Sequence, residues 1–251
     1  MMNRTSGVTA WTRISNIFST AGVPADQFPA VPGDSRALDR ISSPDVRTAP
    51  HRPVAPFGVR ERTVGAPAAL FAHKGSRKTA KRERTAPIGQ WRDMLRCLRE
   101  FGVRGQIAGI NRYINNSPAY GVIADYAKDR PWTSPIEFLR CADESCAYAL
   151  AKYLSLRLLG FHAHRLRLVW MTTAEGHHHS VLTVALSGQT LVLDSRSDAV
   201  LSDQAFEGAE PYVSMNGSRF CLHWHPSEAK GAKAALGRLE ARLSNNEATI
   251  H

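Results

Sequence analysis

Apolar residues recur at helical spacing in two consecutive segments near the middle of the chain. The first segment predicts a helix from Trp91 to Phe101 that ends at Gly102, and the second predicts a helix from Gln106 to Asn115. In the second segment, Asn111 and the terminal asparagine lie beside the apolar stripe rather than opposite it. Each stripe is one face wide, so both helices are expected to pack that face against a neighbouring element.

The longest helical pattern runs from Asp143 to Gly160, and we expect the fold to be built around this helix. Its apolar positions are Ala147, Leu150, Ala151, Leu154 and Leu158. Acidic residues and Ser145 stand at its start, where side-chain oxygens accept from unpaired backbone N–H groups and the helix dipole favours negative charge. Gly160 stands where a left-handed residue ends many helices. Ser145 and Cys146 therefore fall in the first turn.

After Gly160 the pattern changes to strict alternation, which is typical of strands. Strands are predicted at residues 165–171, 179–186, 190–194 and about 219–224. The link at 187–189 is short and contains glycine, so the two strands beside it are expected to form an antiparallel hairpin. A short helix from Ser134 to Leu139, with proline at its first helical position, precedes the long helix. Helices followed by a run of antiparallel strands predict an α+β fold.

The chain before residue 88 lacks sustained periodicity and carries most of the net positive charge. Residues 1–90 hold 14 Lys and Arg against 6 Asp and Glu, a net of +8 out of +10 for the whole chain. Such a segment buries too little apolar surface to offset its ordering entropy. We therefore predict a disordered, basic, Pro/Ala/Arg-rich leader at 1–87, a folded domain at 88–226, and a polar C-terminal helix and tail at 227–251.

The basic run from Lys74 to Arg84 has two interpretations. One is contact with nucleic acid or an anionic surface. The other is a solvated linker, which we favour because no aromatic residues alternate with the basic ones. No stretch of 18 apolar residues occurs, so no transmembrane segment is predicted. The first residues also lack the continuous apolar core of a signal peptide. We expect a cytoplasmic protein, or a periplasmic one if the true start lies elsewhere.

Four residues form a candidate catalytic set. Ser145 and Cys146 stand at a helix start, His179 opens one strand, and Asp194 ends its hairpin partner. A carboxylate so placed can orient the imidazole, and the imidazole can activate a nucleophile delivered by the helix. The positive end of a helix also favours a thiolate. On spacing alone, the alternative is a polar first turn, a surface histidine and a turn aspartate.

The block from about Trp91 to Trp224 resembles the bacterial transglutaminase-like cysteine peptidases, a family related to the papain and transglutaminase folds. Matching segments occur in the family's order at residues 110–115, 132–139, 148–160, 166–169, 179–182, 191–196 and 211–216. The resemblance implies a papain-like/transglutaminase-like fold, with N-terminal helices and a nucleophile helix packed on an antiparallel sheet. It also implies a protein or peptide substrate, and it places His179 and Asp194 on the family's catalytic histidine and aspartate.

The nucleophile departs from the family pattern, which is Gly-Asp-Cys-Glu-Asp-Tyr-Ala at the helix start. An ungapped match through Tyr148 places Ser145 at the cysteine position and Cys146 at the following glutamate. A shift of one residue turns a helical side chain by about 100°. Three accounts stay open. Cys146 is the nucleophile in a rewound helix start, or Ser145 has taken over with the same partners, or the chain is a catalytically inactive binding or regulatory module.

Some members of the family bind calcium through the acids that flank the cysteine. Here only Glu144 stands in a matching position, and a hard cation needs several oxygen ligands. We therefore expect no cofactor and count Glu144 as the one candidate calcium ligand. The expected activity is hydrolysis of protein amide bonds by acyl transfer through a Cys or Ser–His–Asp triad. The rival from another class is an interaction protein whose basic leader binds an acidic partner.

Overall fold

The structure is a computed structural model that describes residues 45–50, 55–65, 86–117, 120–121, 144–186, 188–206, 208–216, 219–228, 231 and 233–237. Within these residues, the main helices are α1 (Ala86–Leu98), α2 (Val103–Asn116) and α3 (Glu144–Leu158). The strands are β1 (Arg60–Gly65), β2 (Leu166–Thr172), β3 (His178–Leu186), β4 (Gln189–Leu193), β5 (Leu201–Ser202), β6 (Glu210–Met215) and β7 (Phe220–Trp224). The predicted α+β class is confirmed.

The strands form one sheet with the order β1-β7-β6-β2-β3-β4-β5, and every neighbouring pair is antiparallel. The predicted hairpin is present, because β3 pairs with β4 from Leu182 opposite Leu193 to Leu186 opposite Gln189. Before β3, Gly176 has a φ of 83°, and its N–H donates to the carbonyl of Thr173 at 2.9 Å. This tight turn brings the start of β3 back beside the end of β2.

Helix α3 is the centre of the fold. Its residues from Ala149 to Leu156 are all buried, because the sheet covers one side of the helix and α2 packs on another. The predicted stripe one face wide was therefore too narrow, and Leu158, placed in that stripe, is exposed. Trp91 of α1 donates from Nε1 to Ser155 Oγ at 2.9 Å, which ties α1 to the back of α3. As predicted, the helix ends before Gly160, which has a φ of 99°.

The central strands of the sheet are buried on both faces. Along β2, Leu168 and Trp170 belong to the main core under the helices, whereas Val169 and Met171 belong to a second apolar cluster. This second cluster is completed by Val181 and Val192, with Phe57, Phe206 and Ala209 packed against it. Strand β2 is accordingly apolar at nearly every position, as expected of a strand that is covered on both sides.

The structure differs from the predicted leader at β1. This strand lies within residues 1–87, yet it pairs with β7 from Arg60 opposite Trp224 to Gly65 opposite Phe220. The sequence of β1 is mostly polar, so it gives no alternating signal. Its order comes from a partner strand about 160 residues away and from the ion pair between Glu61 and Arg167. The folded domain therefore begins before residue 88, and α1 itself begins at Ala86.

Strands β5 and β6 were also not predicted. β5 is only two residues long, and β6 contains Pro211, which lacks an N–H for the ladder. β6 accommodates the proline because its register against β2 shifts between Trp170 and Met171, where the pairs are Trp170 with Val213 and Met171 with Pro211. A local shift of this kind is a feature of the pairing and leaves no signal in the strand's own sequence.

Some predictions lie outside the residues that the structure describes. These are the short helix at 134–139, the basic run at 74–84, the rest of the leader and the end of the tail. In the predicted C-terminal helix, residues 231 and 233–237 are described and are helical. None of the helices in the described ranges is long and apolar enough to cross a membrane.

Candidate active site

The hairpin of β3 and β4 brings His179 and Asp194 together. His179 is the second residue of β3, and Asp194 directly follows the last residue of β4. The imidazole Nε2 lies 2.7 Å from the carboxylate Oδ1, and both side chains are buried. Because a carboxylate accepts hydrogen bonds, Nε2 carries the proton, and in the neutral ring the lone pair is left on Nδ1. This is the juxtaposition that the spacing of the two residues predicts.

Arg196 binds both oxygens of the Asp194 carboxylate. Its backbone N–H donates to Oδ1 at 2.9 Å, and its guanidinium donates to Oδ2 from Nε at 3.2 Å and from Nη2 at 3.1 Å. Burial by itself would raise the pKa of Asp194, but the hydrogen bonds from His179 and Arg196 outweigh it and hold that pKa well below its usual range. The carboxylate is therefore charged and fixed in orientation.

Asparagines of α2 hold the backbone that follows β4. Asn115 donates from Nδ2 to the carbonyl of Asp194 at 3.0 Å and to that of Ser197 at 2.9 Å. Asn111 is fully buried and donates to the carbonyls of Ser197 and Asp198 at 2.9 and 3.1 Å. These bonds fix residues 194–198, which we call the acid segment, against α2. They satisfy carbonyls that no strand ladder reaches.

The two candidate nucleophiles lie in different surroundings. Ser145 is half-buried in the first turn of α3, and its Oγ accepts a hydrogen bond at 2.9 Å from the backbone N–H of Ser180, the residue that follows His179. Cys146 carries a thiol and is buried in the main apolar core. The pairing of β3 with β4 stops at Leu182, so the Ser145 hydroxyl meets β3 beyond the end of β4.

The candidate calcium ligand, Glu144, is the first residue of α3. Its side chain is not among those that the structure describes, so its role as a ligand stays a prediction. Elsewhere in the described ranges, no group of three or more His, Cys, Asp and Glu side chains is arranged to hold a metal ion.

The sequence model of the bacterial transglutaminase-like cysteine proteinases, BTLCP, matches residues 98–228. The chain belongs to this family. The match begins in α1 and ends just after β7, so it contains Ser145, Cys146, His179 and Asp194. The recognised resemblance and the transglutaminase-like fold are thereby confirmed. Members of the BTLCP family are proteinases, so the substrates of this family are proteins.

Solved structures similar to this chain include three of Legionella pneumophila LapG. One is 24% identical, covers 71% of this chain and 94% of that chain, and has a TM-score of 0.42. A calcium-bound form is 23% identical, covers 68% of this chain and 96% of that chain, and has a TM-score of 0.41. An EGTA-treated form is 22% identical, with coverages of 70% and 95% and a TM-score of 0.42. The comparison with curated proteins gives no match.

The sequence reasoning identified His179 and Asp194 but not the groups that hold them. Arg196 lies only two residues beyond Asp194, within one of the segments that carried the resemblance. Asn111 and Asn115 were noted beside the apolar stripe of α2, and that position is the signal that could have revealed them. A polar side chain at the edge of a buried helical face needs a hydrogen-bond partner inside the fold.

Proposed function

We propose that this chain hydrolyses amide bonds of protein substrates with Ser145 as the nucleophile, His179 as the general base and Asp194 as the group that orients the base. The observation that carries the proposal is the hydrogen bond from the backbone N–H of Ser180 to Ser145 Oγ. It places the serine hydroxyl beside the start of β3, where His179 is bound to Asp194. The chain is then a serine variant of a cysteine proteinase family.

The proposed reaction is acyl transfer in two stages. His179 Nδ1 takes the proton of Ser145 Oγ as the oxygen attacks the amide carbonyl, and Asp194 stabilises the resulting imidazolium through Nε2. Backbone N–H groups in the first turn of α3 face the oxyanion that forms. The imidazolium then donates its proton to the leaving amine, the C–N bond breaks, and an ester to Ser145 remains. Water repeats the sequence, releases the acid and regenerates the hydroxyl.

The surroundings of Cys146 argue against the account in which this thiol has replaced the family's cysteine. Cys146 packs among the apolar residues of the main core, and Ser145 contacts the start of β3. The two side chains of adjacent helical residues diverge by about 100°, so the residue before Cys146 takes the direction toward β3. A buried thiol in apolar surroundings is a packing group rather than a nucleophile.

The second candidate function is a catalytically inactive module that binds a protein without cleaving it. The observation that favours it is Ser145 itself, because a serine hydroxyl ionises far less readily than a thiol and depends on a well-placed base and oxyanion site. The intact pair of His179 and Asp194, with the bonds from Arg196 and Asn115 behind it, favours activity. An inactive protein would not need the His179 ring and the Asp194 carboxylate to be held in one orientation.

A fluorophosphonate probe tests the proposal directly, because it phosphonylates serines that a base activates, with loss of fluoride. We expect labelling of the wild type, located at Ser145 by peptide mass spectrometry, and loss of labelling in Ser145→Ala and in His179→Ala. Cys146→Ala is the matched control from the adjacent position and should label at the wild-type rate. Absence of labelling in the wild type favours the inactive module. Alkylation of Cys146 by iodoacetamide that depends on His179 favours the thiol account.

Replacing the serine by the family's own residue tests the geometry independently of the native rate. Ser145→Cys should react with iodoacetamide faster than any thiol of the wild type, and His179→Ala in the same chain should remove that gain. If the new thiol reacts no faster than Cys97 with or without His179, the residue at position 145 does not face the imidazole. Both proposed roles for Ser145 and His179 would then fail.

Whether this chain requires calcium can be measured. A LapG structure is calcium-bound, whereas the one matching acid here is Glu144. We propose that this chain does not need calcium, since one carboxylate supplies too few oxygen ligands. The thermal midpoint and the probe-labelling rate should be the same in calcium and in EGTA. A rise of the midpoint with calcium that Glu144→Gln abolishes would overturn this expectation.

A further inference from the structure

Lys152 is a buried lysine on the nucleophile helix that the proposed reaction does not use. It follows Ser145 by seven residues, which is about two helical turns, so the two side chains leave α3 from the same face. The lysine is fully buried, and its Nζ has no hydrogen-bond partner among the described residues. Nζ lies 6.0 Å from the centroid of the Tyr148 ring, one turn nearer the start of the helix. The side chain therefore extends back toward the site.

The charges that act on Lys152 come from the acid segment. Asp194 and Asp198 are the two carboxylates whose fields favour its charged form. Asp194 is shared with His179 of β3 and with Arg196, while Asp198 accepts hydrogen bonds from Asn116 of α2. From α2, the neutral amides of Asn111 and Asn115 contact the same segment. Lys152 of α3 thus supplies a positive charge to the acid segment, which carries a carboxylate at each end, Asp194 and Asp198.

Unpaired buried groups of opposite type surround this segment. In the part of the chain that the structure describes, Asn111 Oδ1 and Asn115 Oδ1 are buried acceptors without a donor, and Lys152 Nζ is a buried donor without an acceptor. A buried unpaired polar group destabilises a fold by about 1–3 kcal/mol, and an ammonium by more. A methionine would fill the same space without that penalty. We therefore attribute the presence of a lysine at this position to the effect of its positive charge on the acid segment.

We propose that Lys152 is a positioning residue whose ammonium attracts the acid segment toward α3 and so keeps Asp194, and through it His179, aligned with Ser145. This inference rests on the proposed function. Burial lowers the pKa of Lys152 to about 7, although Asp194 and Asp198 act in the opposite direction. The lysine therefore loses its charge near neutral pH. Alignment of His179 is expected to weaken as the pH rises through that value.

NMR of protein labelled with ¹³C at lysine Cε and in the histidine rings tests this inference without any turnover. The chain has seven lysines, so a single one that titrates near pH 7 is resolvable. We expect that signal to be absent in Lys152→Met and present in Lys233→Met, the matched control at an exposed position. The ring signals of His179, assigned with His179→Gln, should show a step over the same pH interval in the wild type. That step should be missing in Lys152→Met.

Two results overturn the inference. One is a wild-type spectrum in which one lysine already has the Cε shift of a neutral amine at pH 6, because an uncharged Lys152 cannot attract the acid segment, and this result stands even if Lys152→Met does not fold. The other is a His179 pH course that is the same in the wild type and in folded Lys152→Met. Failure of the proposed function has a different signature, because a chain that no probe labels can still show the coupled step. Labelling without the step would leave the function and remove only the role of Lys152.

Discussion

The Asp194 carboxylate accepts hydrogen bonds on both of its oxygens. Oδ1 receives His179 Nε2 and the Arg196 backbone N–H, and Oδ2 receives the Arg196 guanidinium. Because both oxygens are bonded, the carboxylate cannot rotate. It therefore holds the imidazole in one tautomer and one orientation. The orientation of the carboxylate is therefore set by two residues, His179 at the start of β3 and Arg196 two positions after Asp194.

Replacing Asp194 by asparagine should reduce the rate of fluorophosphonate labelling by about 10⁴-fold, because the amide can present its NH₂ to the ring and stabilise the wrong tautomer. The fold should persist, since the residue keeps its size. Circular dichroism of the variant checks this. Arg196→Gln is the comparison: it removes the guanidinium and keeps the backbone N–H, so a smaller loss is expected. Equal rates for the wild type and Asp194→Asn would remove Asp194 from the proposed triad.

His223 makes the stability of the protein depend on acid pH. It is fully buried on β7, with Nε2 2.6 Å from Ser214 Oγ. Burial, and secondarily the charge of Arg167, lower the pKa of His223 to about 4 from an ordinary 6.5. The unfolded chain then binds a proton that the folded chain does not, so stability present above pH 6.5 is lost as the pH falls toward 4.

The expected loss from His223 is about 3 kcal/mol across that interval. His223→Gln should be less stable than the wild type at pH 7, because the imidazole packing is lost. Its free energy of unfolding should nevertheless fall less steeply between pH 6.5 and 4. Urea unfolding at several pH values measures both slopes. Parallel slopes would show that His223 takes up its proton equally in the folded and unfolded chains.

The sequence predicted the pairing of His179 with Asp194 but not the groups that support this pair, and the reason is physical. His179 and Asp194 occupy the two strand ends that a short hairpin brings together, which alternation and loop length reveal. Lys152 and Asn115 have their partners 42 and 79 residues away or farther, so only the packing of α2 and α3 on the acid segment defines them. Ser145 and Cys146 have different surroundings in the structure. Both lie in the first turn of a helix, where the sequence pattern does not show which side chain faces β3.

At the scale of elements, α2 acts as the support of the acid segment. Asn115→Ala should lower the free energy of unfolding by about 1–3 kcal/mol, because the carbonyls of Asp194 and Ser197 lose a buried donor. It should also slow probe labelling, since Asp194 loses its anchor. Arg104→Ala is the control on the same helix: its side chain is exposed, so a change within about 0.5 kcal/mol is expected. Similar losses in both variants would contradict a special role for Asn115.

The elements that the sequence predicted are those whose own residues face the core. Strands β2, β3, β4 and β7 were located to within about a residue or two, because their apolar side chains alternate or run together. β1 and β6 were not predicted, since Arg60–Gly65 is mostly polar and Pro211 argues against a strand inside a sheet. Both strands are defined by the strand that each one pairs with. β1 pairs with β7, and β6 pairs with β2 through a register shift.

At the scale of the whole molecule, β1 covers one edge of the sheet. Without it, β7 would present an unpaired ladder to solvent. Glu61 of β1 forms an ion pair with Arg167 of β2 across the face of β7 and β6, and Arg167 Nη1 also lies 3.4 Å from Ser214 Oγ. The Arg167 side chain is 8% exposed, so its charge depends on Glu61 for compensation.

A chain that begins at residue 88, the boundary predicted from the sequence, should therefore be less stable than one that begins at residue 45. It lacks β1 and leaves Arg167 buried without its carboxylate. Glu61→Gln in the longer chain separates the two contributions: it keeps the strand and removes the charge, with an expected loss of about 1.5–3 kcal/mol. Urea unfolding compares the three chains, and light scattering follows association through the exposed β7 edge. If the chain from residue 88 matches the chain from residue 45 in stability, β1 is dispensable and the domain begins at α1.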